Sequence, residues 1–456
     1  MSRLPLISFI FLLMMTGACQ QTVDESPSFS FTPKELQEEL SVGILHKWFP
    51  AVVDSADGGY LTNFSTDWAI EQEQSKMIVT QARHLWTSSQ AALHFPKEGR
   101  YKYSADHGFP FLWKHMWDSI NGGFYQYVDK QGNFSSGSNF ENTKRAYGNA
   151  FGIYGLAAYY KLSGNKEALD LAKEAFYWLE DHSYDATYGG YFEVLSQTGA
   201  PIRPKDAEEY LSTHIGLKDY NSSIHLLEAF AELYRQVQDT LLEKRLRHMT
   251  ALVRDTFTHE RGYLKLYFTP EWQHISYRDS SESVREKNYG TDHVSPGHDI
   301  ETAFLLLDAE AALGNPSYSQ TLAVAKRLVD HTLATGFDWQ KGGVYEQLYY
   351  VPGDTLPTLI DDRKNWWAQA ESFHTLILFA SLFPQEEKYI QAANLQWAYI
   401  EAHIIDPTHK GWYSYGVDTD PSQVQKRKGN AWKSAYHNGR ALMESLALLE
   451  TFEKAE

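Results

Sequence analysis

Three histidines stand at helical spacing from groups that could tune or assist them. Asp219-Tyr220-Asn221-Ser222-Ser223-Ile224-His225 sets Asn221 and His225 four residues apart, on one face of a helix. Pro296-Gly297-His298-Asp299-Ile300-Glu301 sets an imidazole and a carboxylate three apart, so that Glu301 could orient and charge-stabilise His298. His437 lies in Trp432-Lys433-Ser434-Ala435-Tyr436-His437-Asn438-Gly439-Arg440. An imidazole titrates near neutrality and can take or give a proton there. Two of them across a pocket could remove a proton from one face of a carbon and return one to the other, which inverts C2 of a ring-opened aldose. Arg83 or Asn221 near O1 and O2 would stabilise the enediolate-like intermediate. Indoles such as Trp432 and those of Asn365-Trp366-Trp367-Ala368-Gln369-Ala370-Glu371 would hold the sugar face. Tyr147 and Asn149 occupy a comparable helix start. Imidazoles with a carboxylate also ligate metals. The chain has no His-x-x-x-His pair, and the ligands would have to come from separate helices, so no metal or other cofactor is expected. His46, His94, His248 and His331 are read as structural.

These groups can converge only if their helices do. A glycine-aromatic element recurs six times: Gly58-Gly59-Tyr60, Gly122-Gly123-Phe124, Gly189-Gly190-Tyr191, Arg261-Gly262-Tyr263, Gly342-Gly343-Val344 and Lys410-Gly411-Trp412. Its period is about 70 residues. Alternating residues and a second turn follow most copies, which predicts a short β-hairpin. Two helical patterns separate successive copies: Lys76–His94 with Ala105–Asp118, Lys144–Leu162 with Lys166–Asp181, Asp219–Gln238 with Thr240–Thr256, Asp299–Leu313 with Ser317–Thr335, and Lys364–Leu382 with Gln385–Ile405. A helix at Pro33–Trp48 opens the series and Tyr436–Phe452 closes it. Twelve helices in six pairs, with hairpins between repeats, predict an all-α, closed (α/α)6 barrel rather than an open solenoid. The helix after each hairpin is the more apolar and is assigned to the inner ring. Six inner N-termini, with free N–H groups and partial positive charge, then meet at one mouth.

Composition sets the limits. The 456 residues are 43% hydrophobic and 22% charged, an ordinary globular profile, and the 14% of aromatic residues suits stacking on sugars as well as filling a large core. A net charge of −17 argues against a nucleic-acid partner. The single basic cluster, Lys426-Arg427-Lys428, reads as a solvated loop. At the N-terminus, Arg3, an apolar run from Leu4 to Met15 and Thr16-Gly17-Ala18-Cys19 describe an export signal, too short for a membrane span. The sole cysteine sits where a bacterial lipobox would have it. Residues 1–19 are therefore expected to be a lipoprotein signal with Cys19 lipidated, 20–32 a tether, and 33–456 one catalytic barrel. The only membrane contact would be this lipid anchor in the bacterial envelope. Gln20 after the cysteine is compatible with the outer membrane.

The runs Asn221 to Ala229, Gly297 to Glu301, Trp366 to Glu371 and Trp432 to Arg440 resemble the N-acylglucosamine 2-epimerase superfamily, and within it most the cellobiose 2-epimerases. The likeness extends from about Leu40 to the C-terminus. It implies that His298 and His437 form the acid/base pair at C2 and that His225 supports catalysis or ring opening. It also implies that Arg83 and Asn221 contact the reacting sugar, that Glu301 backs His298, and that Trp367 (or Trp366) and Trp432 stack on sugar rings. Tyr436-His437-Asn438 resembles the disaccharide enzymes, so an oligosaccharide such as cellobiose, mannobiose or lactose is the expected substrate. The chain departs from the family in its export signal and in longer stretches at Lys97–Phe109, Lys205–Gly216 and Tyr277–Ser295, expected to be connections near the mouth. Alternatives are a monosaccharide 2-epimerase or aldose–ketose isomerase of mannose or N-acylglucosamine type, and a sugar-binding lipoprotein. A further one is a glycosidase or lyase on the same barrel, drawing on Asp299, Asp361, Asp362 or Glu371.

Overall fold

A computed structural model describes residues 28–134, 142–203, 215–315 and 317–453. The leader with Cys19, and residues 204–214 of the long stretch near Lys205, lie outside the described residues.

Six helix pairs close into the expected (α/α)6 barrel. The inner ring is α2 (Ile78–His94), α4 (Ala146–Ser163), α6 (Tyr220–Gln236), α9 (Pro296–Ala312), α11 (Trp366–Leu382) and α13 (Tyr436–Glu453). The outer ring is α1 (33–48), α3 (Gly99–Phe111), α5 (Lys166–His182), α7 (Thr240–Ala251), α10 (Ser319–Thr335) and α12 (Lys388–Tyr399). Docking of α13 on both α11 and α2 closes the circle. Burial separates the rings: α4 is buried on all sides from Ala146 to Tyr159, whereas α5 buries one stripe, Ala168, Leu171, Ala172, Ala175, Phe176, Trp178 and Leu179. That stripe has the 3.6-residue period of a helix facing a core on one side only.

Local chemistry sets the helix limits. Gly164, at φ 69°, ends α4, and Asn165 starts α5 by accepting hydrogen bonds from Glu167 N and Ala168 N. Asp219 caps α6 through Ser222 N (2.8 Å), and Asn365 caps α11. The outer helices α3, α7 and α12 run on into wider π-type turns, Leu112–Met116, Leu252–Phe257 and Ile400–Ile404.

The glycine turns differ from a simple hairpin row. In the second, Gly122 N donates to Asp118 O (2.8 Å) and Asp118 N to Gly123 O (3.0 Å). Both glycines have positive φ, and the indole of Trp178 lies where a side chain on either would go. The strands that follow pair mainly across neighbouring repeats. β1 (Lys76–Met77) pairs with β2 (Tyr127–Val128), β3 (Lys144–Arg145) with β4 (Val194–Leu195), and β5 (Lys218–Asp219) with β6 (Tyr267–Phe268), all antiparallel. β7 (Gln347–Tyr349) and β8 (Thr358–Asp361) form a local antiparallel hairpin whose register shifts between Gln347 and Leu348. Cross-repeat pairing ties the start of each inner helix to the next repeat and so holds the mouth together.

A buried ion pair reinforces most of these joints. Lys76–Asp54 (2.9 Å), Lys144–Asp118 (2.8 Å), Lys218–Asp185 (2.8 Å), Lys364–Asp338 (2.8 Å) and Lys428–Asp406 (2.6 Å) each join the approach to an inner helix to a glycine turn. In the fourth repeat His259 stands at the turn and Val294 two residues ahead of α9, and the pairing motif is missing there. Lys428 is therefore buried rather than part of a solvated basic loop.

Three further expectations change. Residues 97–109 are not a connection at the mouth but most of outer helix α3, which begins earlier than the pattern from Ala105 indicates and carries Pro110 inside it. The 277–295 stretch contains a helix, α8 (Glu282–Asp292), of which only Thr291 and Asp292 are buried. The described end of the segment read as a tether is docked: Phe31 packs on Phe373 and Trp397, and Phe29 on Phe452. Among the described residues no helix is long and apolar enough to cross a membrane.

Candidate active site

A cavity of about 250 Å³ opens among the N-terminal ends of the inner helices. Its lining includes Arg83, Tyr147, Asn221, His225, His298, Glu301, Trp367, Trp432 and His437, joined by Asn365 and Trp366, whereas Asn149, the other helix-start residue singled out, accepts from Phe124 N (2.9 Å) and does not line it. Every inner helix contributes. A second cavity of about 250 Å³ shares Tyr147, Asn221 and Trp432 with the first and adds Arg145, Glu193 and Tyr267.

The imidazoles are held differently. His437 Nδ1 lies 2.6 Å from Glu371 Oε1, and the other Glu371 oxygen lies 2.9 Å from His374 Nε2. His225 Nδ1 lies 2.9 Å from Glu228 Oε2, one turn on in the same helix. A carboxylate at Nδ1 fixes the tautomer with the proton there and leaves Nε2 basic. Among the described residues His298 has no carboxylate hydrogen-bonded to its ring. Its Nδ1 is 2.8 Å from Ser295 Oγ and 3.3 Å from the Tyr220 hydroxyl. The expectation that Glu301 backs His298 is therefore corrected: Glu301 Oε1 is engaged 2.9 Å away by Arg440 Nη2. Helical spacing made the pair possible, but the buried guanidinium is the stronger competitor for a carboxylate.

Burial lowers all three imidazoles below the usual histidine range, against the pull of Glu228 on His225 and of Glu371 on His437. Neutral rings can act as bases at neutral pH. Burial would raise Glu228, but Arg440 and the His225 hydrogen bond bring it down to about 2. Burial, with Glu371 nearby, pushes Glu301 up to about 8 against the attraction of Arg440. Of the three carboxylates that meet Arg440, Glu301 is thus the one most readily protonated.

The sugar-facing groups fall into two sets. Trp367 lies 4.5 Å from His298 and 5.8 Å from His437, centroid to centroid, so one indole touches both rings. Trp366 is turned into the wall, with Lys433 Nζ 5.3 Å from its ring, which distinguishes the two neighbouring indoles. Trp432 is 46% exposed at the mouth. Arg83 is buried, donates to Tyr147 Oη (3.0 Å) and to Trp432 O (3.2 Å), and lies over Phe151. A fixed cation of this kind suits an oxyanion.

Glu301, Glu371 and His437 come close enough together to ligate an ion. Arg440 already engages both carboxylates, at 2.9 and 2.7 Å, so a metal would have to displace a buried guanidinium. Of the carboxylates considered for glycoside hydrolysis, Asp299 faces away and accepts from Leu264 N (2.8 Å), and Asp361 binds Arg363. Glu228, Arg440, Ser295 and Tyr220 had no role in the sequence reading. The His225-x-x-Glu228 spacing repeats that of His298 and Glu301 and could have flagged Glu228. The cross-ring partners Arg440 and Tyr220 carried no local signal.

A closed ring of helix pairs with imidazoles, indoles and a buried arginine around a sugar-sized cavity is the build of a carbohydrate epimerase or isomerase, and this chain is an enzyme of that class. It belongs to the N-acylglucosamine 2-epimerase (GlcNAc 2-epimerase) family, whose model matches residues 59–441. It is 29% identical over 422 residues to a cellobiose 2-epimerase of Bacteroides fragilis, covering 91% of this chain and 98% of that one. It is 26% identical to a D-mannose isomerase of Marinomonas mediterranea, covering 88% and 94%. The solved structure of cellobiose 2-epimerase from Spirochaeta thermophila superposes with a TM-score of 0.77 at 28% identity, covering 92% of this chain and 97% of that one.

Proposed function

We propose that the protein inverts C2 of the reducing-end aldose of a β-1,4-linked disaccharide of cellobiose or mannobiose type. The observation that carries this reading is that His298 and His437 line one cavity and contact the same indole, Trp367. After ring opening, one imidazole takes the C2 proton. The C2–H electron pair becomes a C1=C2 bond, and the carbonyl pair moves onto O1, where Arg83 stabilises the charge. The opposite imidazole protonates the other face of C2 and the aldehyde re-forms, with no net oxidation. Glu371 makes His437 the stronger base, while hydroxyl partners leave His298 free to hold its proton on either nitrogen. The adjoining second cavity supports a second sugar ring.

The test is incubation with cellobiose, mannobiose and mannose in heavy water. Deuterium at C2 of the epimerised disaccharide supports the reading. Turnover of mannose alone, or to a ketose, supports a monosaccharide epimerase or isomerase, in keeping with the mannose isomerase relative. Hydrolysis or no reaction overturns it.

We also infer export and lipidation at Cys19 from the leader composition. Loss of labelled palmitate from a Cys19→Ala chain tests it, and an unlabelled wild type overturns it.

A further inference from the structure

We propose that Arg440 is the positioning residue of the catalytic centre, a single guanidinium that locks Glu228, Glu301 and Glu371, from three different inner helices, into the geometry that orients His225 and His437. The proposal rests on the two-histidine reading above.

Arg440 lies one turn after His437 on α13 and is buried at 1% exposure. Nη1 donates to Glu228 Oε1 on α6 and to Tyr436 Oη, and Nη2 donates to Glu301 Oε1 on α9 (2.9 Å). Nη2 is also 2.7 Å from Glu371 Oε1 on α11. The remaining oxygen of Glu228 holds His225, and Glu371 holds His437 and His374. The fork is thus one bond removed from two of the three cavity imidazoles. Its planar, bidentate shape matches carboxylates in a way that a lysine ammonium does not. It also supplies the positive charge against which buried carboxylates can remain ionised. Tyr436 Oη, 2.5 Å from Glu228 Oε1, completes the cluster. Other groups acting on it are Tyr154 from α4, Arg83 from α2 and Glu444 further along α13.

Without Arg440 three carboxylates would share one buried site with little opposing charge. They would take up protons at higher pH, and a protonated Glu371 would release the Nδ1 proton of His437. This gives a signature that a purely structural residue lacks. Arg440→Met is expected to lower kcat at least about 100-fold, to leave KM within about threefold, and to move the acid limb of the kcat profile to higher pH. Arg440→Lys restores part of kcat and leaves the limb displaced. The second measurement is the long-range proton–nitrogen spectrum of the histidines in substrate-free protein, in which the wild-type signals of His225 and His437 have the Nδ1–H form and Arg440→Lys shifts them. An unmoved acid limb with kcat lost only in step with folded fraction, or unchanged imidazole signals, overturns the proposal. If Arg440→Met does not fold, Arg440→Lys carries both tests. A wild type that puts no deuterium at C2 sinks the two-histidine reading instead, and the imidazole spectra still judge Arg440.

Discussion

His298 Nδ1 lies 2.8 Å from the hydroxyl of Ser295, whereas its counterpart across the cavity, His437, lies 2.6 Å from a carboxylate. The two rings therefore share a pocket without sharing an electrostatic environment, and the centre has a direction built into it. Replacing either ring by asparagine keeps a polar side chain and removes proton transfer. Each variant is expected to lose about 10²–10⁴-fold in epimerisation with thermal midpoint unchanged within a few degrees. Ser295→Ala should cost far less, since Tyr220 remains at His298. Rates of C2 deuteration measure all three, and a near-wild-type rate for either asparagine variant refutes the paired roles.

Trp432 is exposed at the entrance and shared by both cavities. Trp432→Ala should remove stacking of about 1 kcal/mol, raising KM for a disaccharide several-fold with little change in kcat. Steady-state kinetics on cellobiose and mannose together check it, with the larger change on the disaccharide.

The site between Glu301, Glu371 and His437 is filled by a guanidinium. Activity should accordingly be unaffected by a strong chelator and by added divalent cations. Strong inhibition by the chelator, relieved by one metal, contradicts this.

His84 on α2 is buried among Trp48, Phe49 and Tyr60, and among the described residues neither ring nitrogen has a partner. Burial lowers it to about 3. The unfolded chain therefore binds a proton below the ordinary histidine pKa that the folded chain refuses, and stability falls as pH drops through about 6.5. At pH 5 this one residue should cost about 2 kcal/mol. His84→Leu should thus raise the denaturation midpoint more at pH 5 than at pH 8, and equal shifts at both pH values count against it.

Lys144 and Asp118 are both buried, 2.8 Å apart, and a second bond from Lys144 Nζ reaches Gly122 O. Lys144→Met leaves an unpaired buried carboxylate and should destabilise by about 3–5 kcal/mol. Lys144→Met with Asp118→Leu should recover part of that loss, as urea unfolding would reveal.

Much of this organisation is readable in the chain because its causes are local. Repeated glycine turns need positive φ, and the apolar stripe of α5 needs only helical spacing, so both leave marks in the sequence. α8 did not, because a helix that buries only Thr291 and Asp292 has no apolar face to betray it. Nor did the strands' true partners: Lys76 pairs with Val128, in the next repeat, a choice made by ring closure. At the site, position on an inner N-terminus was enough to gather the lining residues. Hydrogen-bond partners were not legible, since Glu301 could reach His298 by spacing yet is taken by Arg440, 139 residues away in the chain.

Closure of the ring by α13 against α2 also fixes when the enzyme comes into being. Arg83 and Trp432 meet across 349 residues, and His437 and Arg440 arrive on the final helix. A nascent chain can stack its first five pairs as they emerge from the ribosome, yet on the two-histidine reading it stays inert until the last rod slots home. Birth of the activity and completion of the circle are one event, and any C-terminal truncation that removes α13 abolishes both together.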